Sequence, residues 1–215
     1  MTKHPDYEHM VRSQIAGRGI RDPRVLSAMR EIRRHEFVAA EQQAHACDDG
    51  PLPIGYGQTI SQPYVVAWMS ELLDLESDMK VLEIGTGCGY QTAVLAKLCA
   101  HVYSIERVEA LSRQAAINLR RAGIRNVTLK VGDGYDGWPE YAPFPRILAG
   151  AAPDEIPPAL LGQLAPGGIL VAPVGPPRMQ QMVRVRKRDD GTLQHESLGA
   201  VAFVPLVPGE QRGSG

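Results

Sequence analysis

The 215-residue sequence has no apolar run of 18 residues, so nothing in it reads as a membrane-spanning helix. Met1 to Tyr7 are polar and lack the apolar centre of a secretory signal. Cysteine is scarce: Cys47, Cys88 and Cys99 are odd in number and match no metal-binding spacing. That argues against a disulfide framework or a zinc site and for a reducing compartment; the cytoplasm is the expected location, with no metal. A formal charge of −1 supplies no bulk attraction to nucleic acid or to an anionic membrane. Aromatics make up only 6% of residues, yet hydrophobic residues reach 44%, enough for a buried core. Glycine and proline are plentiful at 22 and 17, short of a disordered composition. No internal repeat occurs, and a chain of this length is expected to form one domain over residues 1–215.

What is there centres on Val81-Leu82-Glu83-Ile84-Gly85-Thr86-Gly87-Cys88-Gly89-Tyr90. A short apolar run ends in a Gly-rich turn, and Gln91 to Leu98 follow with helical spacing. Glycines at such a turn admit positive φ and let a ligand approach the backbone. The new helix offers its free N–H groups at the same point. A dinucleotide fingerprint requires G-x-G-x-x-G. Gly85 and Gly87 satisfy it, but Tyr90 stands at the third position and the extra glycine comes one residue early, at Gly89. No Gly-Lys-Ser/Thr ending follows, so the turn is not a phosphate loop. What remains is an acid, Glu83, two residues ahead of G-x-G-x-G. This pattern resembles the first motif of S-adenosylmethionine-dependent methyltransferases with a Rossmann-like fold. A carboxylate suits that ligand, which carries an ammonium and a sulfonium and no phosphate. The alternative is a generic glycine turn without a ligand. Cys88 within it reads as a small apolar filler.

Ahead of the turn, Met10 to Ile15 and Arg24 to Met29 have helical spacing; Gly17-Arg18-Gly19 breaks the first, and Asp22-Pro23 caps and starts the second. Arg30, Arg33 and Arg34 form a small basic cluster, read as a solvated helix end. Glu36 to Ala46 suits another short helix. Asp48 to Pro63, punctuated by Gly50-Pro51, Pro53 and Gly55-Tyr56-Gly57, reads as an ordered functional loop. Ser61 or Gln62 can cap the helix Tyr64 to Leu73, with Pro63 in its first turn.

Beyond the turn, His101 to Ile105 makes a second strand ending at Glu106. That carboxylate lies about 20 residues past the first glycine, where an acid receives ribose hydroxyls in Rossmann-like sites; a solvated strand end is the alternative. Val108 to Ala122 is an amphipathic helix stopped at Gly123. Val127 to Val131 is a third strand, followed by Gly132-Asp133-Gly134. An acid there can accept from an adenine amino group while the glycines let the ring lie against the backbone. Arg146 to Ala149 is a fourth, buried strand, Pro158 to Leu164 a short helix, and Ile169 to Pro173 a fifth strand. Met182 to Lys187 and Thr192 to Val204 are strand-like and joined by Asp189-Asp190-Gly191, a strong hairpin signal. Alternating Arg184, Arg186 and Arg188 mark the first of that pair as a half-exposed edge strand guarded by charge. The tail from Pro208 is expected to be mobile.

Several stretches agree on one family. Pro53-Ile54-Gly55-Tyr56-Gly57-Gln58-Thr59-Ile60-Ser61-Gln62-Pro63, the glycine turn with Gln91-Thr92-Ala93, Gly132-Asp133-Gly134, Ala151-Ala152-Pro153, Pro166-Gly167-Gly168 and Phe203-Val204-Pro205-Leu206 resemble the protein-L-isoaspartate O-methyltransferases. The Gln-Thr-Ile-Ser-Gln-Pro run discriminates, because many methyltransferases share the glycine motif. The resemblance implies an α/β fold: a Rossmann-like, doubly wound, mostly parallel seven-stranded sheet with helices on both faces and a C-terminal antiparallel hairpin. Residues 1–78 would hold N-terminal helices and a covering loop, 79–207 the core, and 208–215 a flexible tail. It further implies S-adenosylmethionine as cofactor, held by Gln58, Thr59, Ile60, Glu83, Gly85, Thr86, Gly87, Gly89, Glu106, Asp133 and Gly134, and Ser61 as the active-site serine. The partners implied are isoaspartyl proteins and peptides, with no nucleic acid and no membrane, and the chain is expected to be a monomer. Pro145 and Gly150 depart from the family pattern, where Asp and Thr are common; Gly150 removes a hydroxyl near the expected substrate cleft.

The implied chemistry is physically coherent. A carboxylate is already ionised at neutral pH, so its methylation needs no general base. The protein has to align an oxygen with the methyl carbon and strip its water. The alternative, a methyltransferase of nucleic acid or a small molecule, is disfavoured by the neutral charge and by Gly150-Ala151-Ala152-Pro153, where amino-methylating enzymes carry Asn/Asp-Pro-Pro-Tyr/Phe.

Overall fold

The computed structural model describes residues 6–212. It opens with α1 (Tyr7–His9), which runs on as a π-helical turn over Met10–Ile15 and a 3₁₀ turn over Ala16–Arg18. Gly19, at φ 107°, ends that run where the sequence places a break. Then comes α2 (Pro23–Glu31), capped as its sequence suggests: Asp22 Oδ1 accepts from the Arg24 N–H at 2.8 Å. Glu36 to Ala46 is made of 3₁₀ turns.

Asp48 to Pro63 is more structured than a loop. It contains β1 (Leu52–Gly55) and β2 (Gln58–Ile60), an antiparallel hairpin outside the main sheet. Its turn places Tyr56 and Gly57 at φ 55° and 70°. The following α3 (Pro63–Leu72) starts one residue earlier than its apolar pattern, on Pro63, whose missing N–H costs a first turn nothing. Gln62 occupies the N-cap without a side-chain cap bond, so neither Ser61 nor Gln62 caps the helix through its side chain. Gln62 instead donates to Asp49 Oδ1 at 2.7 Å.

The core then alternates strand and helix: β3 (Lys80–Ile84), α4 (Tyr90–Ala96), β4 (His101–Glu106), α5 (Glu109–Arg121), β5 (Val127–Val131), β6 (Phe144–Ala149), α6 (Pro158–Gln163), β7 (Leu164–Val174), β8 (Gln181–Lys187) and β9 (Leu193–Ala200). Seven strands form one sheet in the order β5-β4-β3-β6-β7-β8-β9. The first five are parallel, and β8 and β9 are antiparallel. A parallel strand is covered on both faces, which is why β3 is apolar almost throughout. Val81 packs toward α3 and α4, whereas Leu82 and Ile84 pack on the opposite side with Trp138, Phe144 and Leu160. Each such fully buried aliphatic stabilises the fold by about 1.5–3 kcal/mol.

Three expectations need correction. The Arg-rich strand β8 is not the sheet edge: β9 pairs along it, and Arg184 binds Glu196 across the pair at 2.6 Å. The mostly exposed, polar β9 takes the edge and ends at Ala200, four residues short of Val204. The tail is tied down through residue 211: Gln211 donates to Arg107 O at 2.7 Å and accepts from the Glu109 N–H at 3.1 Å. Residues 213–215 lie outside the described part.

Candidate active site

The chain winds from β3 toward β4 and β5 on one side, and β6 and β7 lie on the other. Such a reversal opens a crevice at the carboxyl ends of the strands, where ligands of doubly wound sheets bind. Here Gly85 follows β3 and Gly150 follows β6, and Gly150 donates to Ile84 O at 2.7 Å, closing the floor of the crevice. Gly85, Gly87 and Gly89 have φ of 92°, 55° and 89°, conformations that a side chain would strain.

A cavity of about 70 Å³ follows the glycine turn, walled by Gly85, Gly87, Glu106 and Gly134 below, and by Gln58, Thr59 and residues 204–207 above. A second, of about 50 Å³, continues past Ile60, Ser61, Thr86 and Cys88. Beyond it opens a cavity of about 520 Å³, lined by Arg18, Ser61, Tyr64, Gly150 and residues 200–204. Thr59 and Gly150 line all three, and Ser61 lines the second and third. Ser61 therefore stands where the narrow crevice meets the large open cavity. A Cβ on Gly150 would sit 3.3 Å from Gly85 O, so this departure keeps the junction wide.

Glu106 is placed as the sequence requires. Its Oε2 accepts from the Gly87 N–H at 2.8 Å and its Oε1 from Val108 at 2.9 Å, so the acid at the end of β4 is tied to the turn. A carboxylate offers about four lone-pair sites, which leaves acceptor capacity for ribose hydroxyls. Carboxylate and bare backbone, without a phosphate cradle, fit a cationic nucleoside. The crevice as it stands is narrower than the roughly 300 Å³ or more of ordinary ligand sites.

Other expected site residues sit elsewhere. Glu83 is fully buried and lines none of these cavities. Strand alternation sends it to the α4 side, where its Oε2 accepts from Thr92 at 2.5 Å and Ser104 at 2.6 Å, while Oε1 has no partner. Thr86 does border the second cavity, but its hydroxyl bonds the same Ser104 hydroxyl at 2.6 Å and so points below the turn. Gly89 faces α5: a Cβ there would meet Leu119 at 3.2 Å, so on that side this glycine allows close helix packing. Asp133 lines none of these three cavities either; it accepts from Tyr135 N–H at 2.9 Å and Gly209 N–H at 2.6 Å. Cys88 is a buried filler whose thiol burial pushes up to about 11.

Burial also pushes the Glu83 carboxyl up to about 7, partly offset by the Ser104 and Thr92 bonds. The folded state thus holds a proton that the unfolded chain releases near pH 4.5. The stabilising contribution is complete below that pH and is lost as pH rises through about 7, an effect of about 3 kcal/mol. Glu83→Gln cannot ionise. Denaturant titrations at pH 5 and pH 8 should show the Gln variant gaining on the parent by about that amount; parallel pH profiles would contradict a buried, protonated Glu83.

Sequence reasoning missed two contributors. Residues 204–207 form the far wall of the crevice, although the Phe-Val-Pro-Leu run containing the first three was visible as a motif. Arg34 is no solvated helix end but a fully buried side chain behind Ser61.

The sheet order, the glycine turn and the acid at the end of β4 together define a Rossmann-like, adenosylmethionine-dependent methyltransferase. A family model described as Protein-L-isoaspartate(D-aspartate) O-methyltransferase matches residues 5–211, and the chain belongs to that family. It is 52% identical over 200 residues to the protein-L-isoaspartate O-methyltransferase of Opitutus terrae, covering 93% of this chain and 86% of that protein. To the one from Anaeromyxobacter dehalogenans it is 54% identical over 191 residues, covering 88% and 91%. A solved protein-L-isoaspartate O-methyltransferase superposes with a TM-score of 0.84 at 29% identity, across 93% of this chain and 65% of that one. The fold is also that of a Plasmodium falciparum protein solved with S-adenosyl-L-homocysteine, at TM-score 0.81 and 24% identity, covering 94% and 98%. No helix among the described residues is long and apolar enough to cross a membrane.

Proposed function

We propose that this chain transfers the methyl group of S-adenosylmethionine to the free carboxyl of L-isoaspartyl residues in damaged proteins and peptides, the first step of their repair. The observation that carries the reading is Ser61 at the junction of the glycine-turn crevice with the large cavity. The crevice takes the cofactor: Glu106 receives the ribose hydroxyls, Gly85 and Gly87 admit close approach, Gly134 borders the adenine, and Gln58, Thr59 and Ile60 close over it. Glu83, Thr86 and Gly89 support the turn from beneath. Asp133, which keeps acceptor capacity beside its bonds to Tyr135 and Gly209, receives the adenine amino group.

The cofactor supplies an electrophilic methyl on a sulfonium. The chain's task is alignment. Ser61 holds the substrate carboxylate by its hydroxyl, a donor that adds no permanent charge to compete for the anion. Gly150 leaves room for the extra backbone methylene of an isoaspartyl unit, and the walls of the junction exclude water from the nucleophile, which needs no base. We further propose that the chain acts as a monomeric, single-domain cytoplasmic enzyme with no nucleic-acid partner, consistent with its charge of −1. Incubation with methyl-labelled cofactor should put one base-labile label on each isoaspartyl peptide. Labelling of RNA or DNA with the peptide left untouched would overturn the reading.

A further inference from the structure

An isoaspartyl residue forms most readily where glycine follows aspartate, and this chain has such steps at Asp49-Gly50, Asp133-Gly134, Asp136-Gly137 and Asp190-Gly191. The glycine nitrogen bonds to the aspartyl Cγ, its proton leaves with the carboxyl hydroxyl as water, and a five-membered imide remains. Water then adds at the main-chain carbonyl and breaks that carbon's bond to nitrogen. The chain now runs through the side chain, and the α-carboxyl is free. Glycine favours closure because it has no Cβ to shield its nitrogen or restrict its φ.

The first three steps are held. The Asp49 carboxylate takes Gln62 at 2.7 Å and Arg18 at 3.3 Å, while Gly50 donates to Asp48 O at 2.9 Å and its own carbonyl accepts from Arg34. Gly134 and Gly137 are buried, which leaves no room for a ring to pucker. A Cβ on Gly134 would overlap Ile84, and one on Gly137 would sit 2.5 Å from Gln163 Oε1.

Asp190-Gly191 differs. It forms the tip of the β8–β9 hairpin, which is exposed from Arg188 through Ser197. Among the described residues nothing lies within 4 Å of a Cβ built on Gly191. Asp190 Oδ1 accepts from the Thr192 N–H at 2.9 Å and from its hydroxyl at 2.7 Å, which curls the carboxyl over the Gly191 peptide. The Gly191 N–H donates to Arg188 O at 2.9 Å across the turn, a surface bond of the kind that opens at little cost. The tip is also remote from the site. β8 runs against the parallel strands, so its end lies at the side of the sheet opposite the crevice. From Leu193 to Ala200, where the chain reaches the large cavity, β9 spans about 24 Å. A folded chain cannot bring its own tip to its own Ser61.

We infer that Asp190 is this chain's own site of isoaspartate formation, and that a second copy of the enzyme methylates the damaged tip. The inference rests on the proposed isoaspartyl acceptor. Each transfer joins an α-carboxylate oxygen of residue 190 to the methyl carbon, breaks the methyl–sulfonium bond and releases S-adenosylhomocysteine. The added main-chain methylene breaks the register of the turn, so the damaged tip leaves the sheet edge and enters the open cavity of the other copy.

The test ages the parent, Asp190→Glu and Asp190→Asn side by side in neutral buffer for weeks, then supplies methyl-labelled S-adenosylmethionine. Digestion at acid pH, which spares methyl esters, maps the label. The aged parent should carry it on the fragment spanning Asp190, and freshly purified parent should carry none there. Asp190→Glu should lose the label, because closure to a six-membered imide is slow. Asp190→Asn should gain it, because the neutral amide closes more readily than a carboxylate and releases ammonia. Doubling the concentration of aged parent should quadruple the initial rate, as transfer between copies requires; a rate that merely doubles would overturn the role of the second copy. Label at Asp49, Asp133 or Asp136 instead, or equal label in Asp190→Glu, would overturn the site. An isoaspartyl peptide assayed beside each sample reports whether the enzyme survived ageing. A methylated peptide next to an unlabelled aged parent defeats this inference alone, whereas a peptide left unmethylated even by fresh parent removes the functional reading.

Discussion

Replacing Ser61 with Ala should lower turnover by about 10²-fold while leaving S-adenosylmethionine affinity nearly intact. Alignment of two preformed reactants is the main source of rate here, and loss of one positioning contact is felt in full. The competing view makes Ser61 a helix cap, worth about 1 kcal/mol of stability. The structure argues against it, because the N-cap of α3 is Gln62 and no side chain caps it. Melting temperature should therefore be unchanged in Ser61→Ala. Calorimetry, turnover and melting measured on one preparation separate the views: a destabilised variant with full turnover would end the assignment of Ser61 to the substrate.

Glu106→Ala should weaken cofactor binding by about 1–3 kcal/mol, the range for losing hydrogen bonds to a charged group. It should also cost stability, because the buried N–H of Val108 and that of Gly87 lose their acceptor. Glu106→Gln separates the effects. Its remaining oxygen can serve only one of the two N–H groups, so the turn loosens, but the amide keeps the shape of the site. Titration calorimetry of both variants should rank affinity as Glu, then Gln, then Ala. Equal affinity across the three would place Glu106 outside the cofactor site.

Much of this was readable in the chain. The glycine turn, the parallel strands and their helices announce themselves because φ-positive glycines and apolar periodicity are local properties. Glu106 was readable because a strand end lies at a fixed distance from the turn. What was not legible depended on partners distant in sequence. Glu83 sits ahead of the turn like a ligand contact, yet strand alternation puts it with Val81 on the α4 side, where Thr92 and Ser104 claim it. Arg34 looks like its neighbours Arg30 and Arg33; only carbonyls 12 to 27 residues away distinguish it. The arginine alternation of β8 suggested an edge because a hairpin signal does not say which of its two strands pairs with the rest of the sheet. The tail is held by backbone bonds to residues 107 and 109, which carry no sequence signature.

The central claim is that this chain positions the displaced carboxyl of an isoaspartyl residue for methyl transfer. One peptide synthesised in two forms, isoaspartyl and aspartyl, and assayed for methyl transfer under identical conditions tests it directly. The isoaspartyl form should be methylated and its twin essentially ignored, because shifting one methylene moves the carboxylate by more than 1 Å, and misplacements of that size cost about 10²-fold. Equal rates on the two peptides would contradict the account and leave a general carboxyl methyltransferase in its place.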